Sequence, residues 1–264
     1  MEIKCRYKYI DRITVRYILV TVLVAALLSG CGGIGFLQKA DANEAENAVL
    51  TESAADSYVS FPKLTEENGD IFGWIYVPGT GIDYPVLQNS DGDDSFYKTH
   101  NALKGEDPAG AIYIEAANRK DMCDFNEVLH GKTLSDGTMF SDLNQFLDRT
   151  FFEDHQYIYI YTEDTVLVYV VMAAFQRRNT RLIEEYDFSY ASGCREFIDE
   201  IYSGRSMGKN IRQGWEEGLE PENFIITLST IDEVGTGKQT VVIGCLAADM
   251  NGTVDRVVDY SDPE

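Results

Sequence analysis

The sequence predicts a mainly β domain of barrel type with a few peripheral helices. Three observations carry that expectation. Short runs rich in β-branched and aromatic residues recur along the chain, turn-forming Gly, Pro, Asn and Asp separate them, and few stretches show helical spacing of apolar residues. A doubly wound parallel sheet would instead place a helix between most consecutive strands. The 264 residues are 44% hydrophobic, with 16 Tyr and 13 Phe, enough to fill one domain of ordinary to large size and leave appendages.

The barrel domain is expected over 61–248. It opens with a short helix from Phe61, then "GWIYVP" as a strand, a Gly79-Thr80-Gly81 turn, and "IDYPVLQ" as the next strand. Pro78 and Pro85 suit strand ends or edges, because proline cannot donate to a ladder. Trp74, between Gly73 and Ile75, is expected in the core. Further strands are predicted at Ala111–Glu115, Glu127–His130, Tyr157–Thr162 and Val166–Gln176, and helices at Met139–Leu147 and Tyr190–Tyr202. In the last of these Cys194, Phe197, Ile198 and Ile201 recur on one helical face. The runs Phe224–Thr230 and Val241–Leu246 flank an Asp/Glu/Gly segment and read as a hairpin.

The N-terminus has a different character. Lys4, Arg6, Lys8, Arg12 and Arg16 precede an uncharged run from Tyr17 to Leu28, followed by "LSGC" ending at Cys31. A basic region, a short apolar stretch and small residues before a cut site describe an export signal over 1–30. The Leu-Ser-Gly-Cys ending resembles the lipobox of bacterial lipoproteins, which implies lipid attachment at Cys31 and tethering to the outside of the cell membrane. Two alternatives stay open: an uncleaved transmembrane anchor, since the uncharged run continues to Leu37, and a signal cut to release free protein. An Ala/Glu/Asn-rich flexible tether is expected over 31–60 and an acidic C-terminal tail over 249–264.

A formal charge of −22 argues against a nucleic-acid partner, which needs clustered Lys and Arg. Besides Cys5 and Cys31, the cysteines are three widely spaced singletons, Cys123, Cys194 and Cys245, with no Cys-x-x-Cys. They read as buried thiols, and neither a metal site, a disulfide framework nor a cofactor is indicated. His100 and His155 sit in polar loop contexts and read as solvated; His130 reads as a strand-end histidine with a hydrogen-bond partner.

The blocks "NGDIFGWIYVPGTGIDYPVLQ", "AGAIYIE", "DGTMFSDL", "IITLST" and "VVIGCLA", in that order from about Leu64 to Leu246, resemble the sortase family, class B in particular. The resemblance implies an eight-stranded barrel, with the helix near 190–202 standing before the seventh strand. For active members it implies transpeptidation outside Gram-positive cells: a sorting signal is cut and its acyl group passed to an amine. The family machinery is a Cys after Thr-Leu-Ser-Thr, a His in Gly-His-Asn, and an Arg leading the last strand. Carried over position by position, the Cys falls on Ile231 and the His on Lys132. The Arg falls on Gln239, or on Lys238 if the register slips by one. A hydrocarbon can neither attack a carbonyl nor leave again, and an amide brings no charge to an oxyanion. The family's chemistry is therefore expected to be absent.

Ser229 and Thr230 remain as peptide-groove candidates, and Ser229 with Lys132 as base, or with His130 nearby, is the pair from which a relocated activity would have to be built. Three functions follow as expectations: a binding or accessory module that meets a sorting-signal peptide, an active sortase or a pilin subunit; a peptidase or transpeptidase with relocated residues; or a structural envelope lipoprotein.

Overall fold

A computed structural model describes residues 59–206, 208–231 and 235–249. The expected signal, Cys31, nearly all of the tether and all but the first residue of the acidic tail lie outside the described residues.

The elements in chain order are helix α1 (Phe61–Glu67), strands β1 (Ile71–Tyr76), β2 (Asp83–Leu87), β3 (Ile112–Ile114) and β4 (Asn126–Lys132), and a 3-10 helix at Ser141–Leu147. Helix α2 (Arg149–Asp154), strands β5 (Tyr157–Tyr161) and β6 (Val166–Arg178), and helices α3 (Leu182–Glu185) and α4 (Ala191–Ser203) follow. Strands β7 (Asn210–Ile211), β8 (Ile225–Ile231) and β9 (Lys238–Asp249) complete the fold. The sheet runs β5-β1-β2-β3-β4-β8-β9-β6-β7, and β5 also pairs with β6. That pairing closes eight strands into a barrel and leaves two-residue β7 outside. β2–β3 and β4–β8 are parallel; the remaining ladders are antiparallel.

Alternation along each strand sends one set of side chains inward. Ile75, Val86, Ile112, Leu129, Ile160, Leu228 and Val242 form one dry interior with Leu143 and Phe146 of the 3-10 helix and Phe152 of α2. Asp148 starts α2 by accepting from the Phe151 amide at 3.0 Å, an N-cap that satisfies one of the helix's orphan donors. On the outside, α4 lays Cys194, Phe197, Ile198 and Ile201 over Val128, Ile225, Val241 and Ile243 of the barrel wall. The helical face read from the sequence is thus the face that packs, and α4 does precede the seventh barrel strand, β8.

Several expectations are corrected. The helix expected at Met139–Leu147 is a 3-10 helix starting at Ser141: Met139 adopts φ +55°, and the Phe140 amide is drawn back to the Lys132 carbonyl at 2.9 Å. Trp74 lies on β1 as expected, but on its outer face, half-buried, with the indole Nε1 donating to Asp83 at 2.6 Å. His100 and His155 are half-buried rather than solvated, stacked on Phe96 and Phe151 at 4.0 and 3.8 Å between ring centres. Cys194 and Cys245 are buried thiols, whereas Cys123 is half-exposed in the loop before β4.

Candidate functional site

The site is built on the outer face of β4, β8 and β9. Leu129, Leu228 and Val242 point into the barrel, so their neighbours on each strand face outward. In the parallel β4–β8 ladder His130 pairs with Ser229 and Lys132 with Ile231; across β8–β9 Ser229 pairs with Val241. Continuing that antiparallel register by two residues brings Gln239 level with Ile231. Lys132, Ile231 and Gln239 therefore share one outward row on three adjacent strands. A second row, one repeat of about 6–7 Å below it, runs Tyr113, His130, Ser229, Val241.

The upper row is occupied by engaged groups. Lys132 is 5% exposed, and its Nζ donates to the Pro108 carbonyl at 2.8 Å. Ile231 rests against the small apolar cluster of Ile71, Leu87, Tyr97, Ala111 and Tyr113. Gln239 is buried and bridges two partners: Oε1 accepts from the Ser229 hydroxyl at 3.1 Å, and Nε2 donates to the Thr180 carbonyl at 3.0 Å. Lys238, the alternative to Gln239, is exposed.

In the lower row Ser229 is 1% exposed and spends its proton on Gln239. His130 is not at a strand end but within β4. It is buried beside Tyr113 at 5.3 Å between ring centres, and its Nε2 has no hydrogen-bond partner, 3.7 Å from Glu115 Oε1. Burial disfavours the imidazolium, and nearby Lys98 and Arg181 add to the effect, holding the ring's pKa at about 4. His130 is a neutral imidazole at pH 7. Thr230, expected at the groove with Ser229, faces the other way: its hydroxyl oxygen accepts the Thr240 amide at 2.9 Å.

Sequence reasoning missed a charged network over this face. Arg181, on the segment after β6, donates through Nε to Glu115 and through an Nη to Asp94, both at 2.6 Å. Burial pushes the Glu115 carboxyl up, and the guanidinium only partly offsets it. Arg177 of β6, buried, pairs with Glu185 and Glu200. The available signal was a carboxylate ending the apolar run "AIYI" and two arginines, one near the end of a long strand and one just past it, each needing a partner where it is buried. Among the described residues no group of three or more His, Cys, Asp or Glu is arranged to hold a metal ion.

No family model matches the chain. Sequence comparison finds sortase B of Listeria monocytogenes, 27% identical over 191 residues, covering 70% of this chain and 74% of the relative. Sortase B of Staphylococcus aureus is 26% identical over 185 residues, covering 69% and 72%. The fold is shared as well. A Staphylococcus aureus sortase B–substrate complex superimposes with a TM-score of 0.63 at 25% identity, covering 78% of this chain and 97% of that one. The chain is a homologue of sortase B. Sortase B of Clostridium perfringens gives a TM-score of 0.60 at 26% identity over 71% of this chain and all of its own. What this sortase B homologue carries at the outward row of β4, β8 and β9 is an amine, a hydrocarbon and an amide.

Proposed function

We propose that this sortase B homologue is a catalytically silent binding or accessory module in cell-surface protein anchoring, held outside the cytoplasm through a lipid on Cys31. The observation that carries the reading is the outward row Lys132, Ile231, Gln239, which coincides with the three positions where the resemblance places base, nucleophile and oxyanion donor. Acyl transfer needs a nucleophile and a base within hydrogen-bond reach of one reacting atom. Here the central position is a hydrocarbon, and the flanking side chains donate to Pro108 and Thr180 carbonyls. The ligand is a peptide of the sorting-signal class, a reading supported by the substrate complex of the Staphylococcus aureus relative. An active sortase or a pilin subunit that presents such a segment fits the same role.

Isotope-edited NMR of the Ile231 methyl groups during titration with sorting-signal peptides tests this function. Saturable shifts without cleavage are expected. No shift with any peptide would favour a structural envelope protein instead. Cleavage surviving in Lys132→Ala and Ser229→Ala would mean that the site is misassigned. The tether is tested separately: Cys31→Ser should leave an unprocessed precursor, and a wild-type chain still beginning at Met1 would restore the transmembrane anchor.

A further inference from the structure

Ser229 and His130 are buried although they face outward, and the cover is local. The segment 179–186 leaves the end of β6, where the Asn179 amide donates to the Gly237 carbonyl at 3.1 Å. One residue later the Thr180 carbonyl accepts from Gln239 of β9 and also from Arg177 at 3.1 Å. Arg181 then reaches Glu115, just past β3, and Asp94 on the β2–β3 connection. β3 and β9 flank β4 and β8 in the sheet, so these two anchor points stand three strand spacings apart, about 14 Å. Two adjacent residues and their partners' side chains span that distance, and Ser229 (1% exposed) and His130 (9%) lie between the anchors. Leu182, buried in the cluster under α4, fixes the far end.

We infer that 179–186 is a strap that closes the groove over the Ser229–His130 row, and that Gln239 and Arg181 are the positioning residues that pin it. Gln239 thus has a structural task at its position: its amide joins the strap to Ser229, bridging groove floor and cover. The pins differ in strength. Gln239 and Glu115 are buried, whereas Arg181 and Asp94 are 39% and 29% exposed in their side chains, so solvent and salt reach the outer pin first. A ligand entering the groove meets half-buried Ile231 first and reaches the lower row only when the strap lifts. This concerns access to the groove proposed above, and its test uses a thiol reagent rather than a peptide, so failure of peptide binding leaves it standing.

The experiment places a reporter under the strap. Ser229→Cys is made in a Cys123→Ser background, and labelling is read at position 229 by peptide mapping, so that Cys5, Cys31 and the buried Cys194 and Cys245 do not contribute. Methyl methanethiosulfonate then forms a mixed disulfide with the introduced thiolate and expels methanesulfinate. With the strap pinned, labelling should run at least ~100-fold slower than at Cys123 in the wild-type chain, because it waits on local opening. Adding Arg181→Ala and Gln239→Ala should raise the rate at least ~10-fold, and 1 M salt should raise it in the pinned protein by weakening the outer pin. Labelling as fast as at Cys123 with the strap intact would overturn the inference. So would a slow rate that the pin substitutions leave unchanged. Because the double substitution risks the fold, amide hydrogen exchange of 179–186 in Arg181→Ala alone is the second readout. Exchange indistinguishable from wild type would equally overturn the inference.

Discussion

The inside of the barrel and the outer face of β4 and β8 are built on the same strands, with alternate residues serving each. Inside, Leu129, Leu228 and Val242 belong to one apolar cluster, and shape decides what fits. Outside, His130, Lys132, Ser229 and Gln239 are buried too, yet each is polar. Burial there is tolerable because neighbours supply acceptors: Pro108 for Lys132, Gln239 for Ser229, Thr180 for Gln239. The comparison teaches that the two faces answer to different constraints. The interior preserves a fold, while the outer face holds a polar arrangement fixed by hydrogen bonds.

The largest expected effect lies inside. Phe146→Ala empties a fully buried ring site in the barrel interior and should cost about 3–5 kcal/mol in chemical denaturation. A loss below about 1 kcal/mol would mean that the 3-10 helix does not pack into the barrel.

The outer face should reveal itself through pH. His130, near 4 when folded against an ordinary 6.5, binds fewer protons folded than unfolded between those values. Its contribution is intact above about pH 6.5 and is lost as pH falls toward 4, by at most about 3 kcal/mol. His130→Gln should flatten the stability profile across that window and nowhere else. Asp70 supplies a second, lower window. Burial opposes its ionisation, but hydrogen bonds from Tyr97, Lys104 and Ser90 outweigh that and hold it at about 2. Its contribution is present above about pH 4 and lost as pH falls toward 2, so Asp70→Asn should alter only that lower limb. A wild-type profile flat from pH 6.5 to 4 would break the claim that His130 is buried neutral.

The smallest effect belongs to Trp74. On the outer face and half-buried, it should cost less than about 2 kcal/mol on replacement by Ala, through lost packing and the bond to Asp83. A loss matching that of Phe146→Ala would place the ring in the core after all.

The barrel was legible because alternation and turn chemistry are local: β1, β2, β5 and β6 fall where β-branched and aromatic runs stand between turn signals. Trp74 was misplaced because β-propensity marks a strand without saying which face a residue takes. The row Lys132, Ile231, Gln239 came from resemblance to family motifs, and the structure lays the three positions side by side. Arg181 with Glu115 and Asp94 was not legible, since partners 66 and 87 residues apart become neighbours only when the sheet closes. The burial of His130 and Lys132 was missed for the same reason. Neither residue shows in its own sequence neighbourhood the segments that cover it.

The central claim is that this sortase B homologue keeps the barrel and has lost the chemistry. The most direct measurement incubates the purified chain with sorting-signal peptides and an amine acceptor and follows cleavage by mass spectrometry. The comparison is with Lys132→His, Ile231→Cys, Gln239→Arg, which returns imidazole, thiol and guanidinium to the outward row. The account predicts no turnover by the wild-type chain and measurable cleavage by the triple variant. Turnover by the wild-type chain would contradict it.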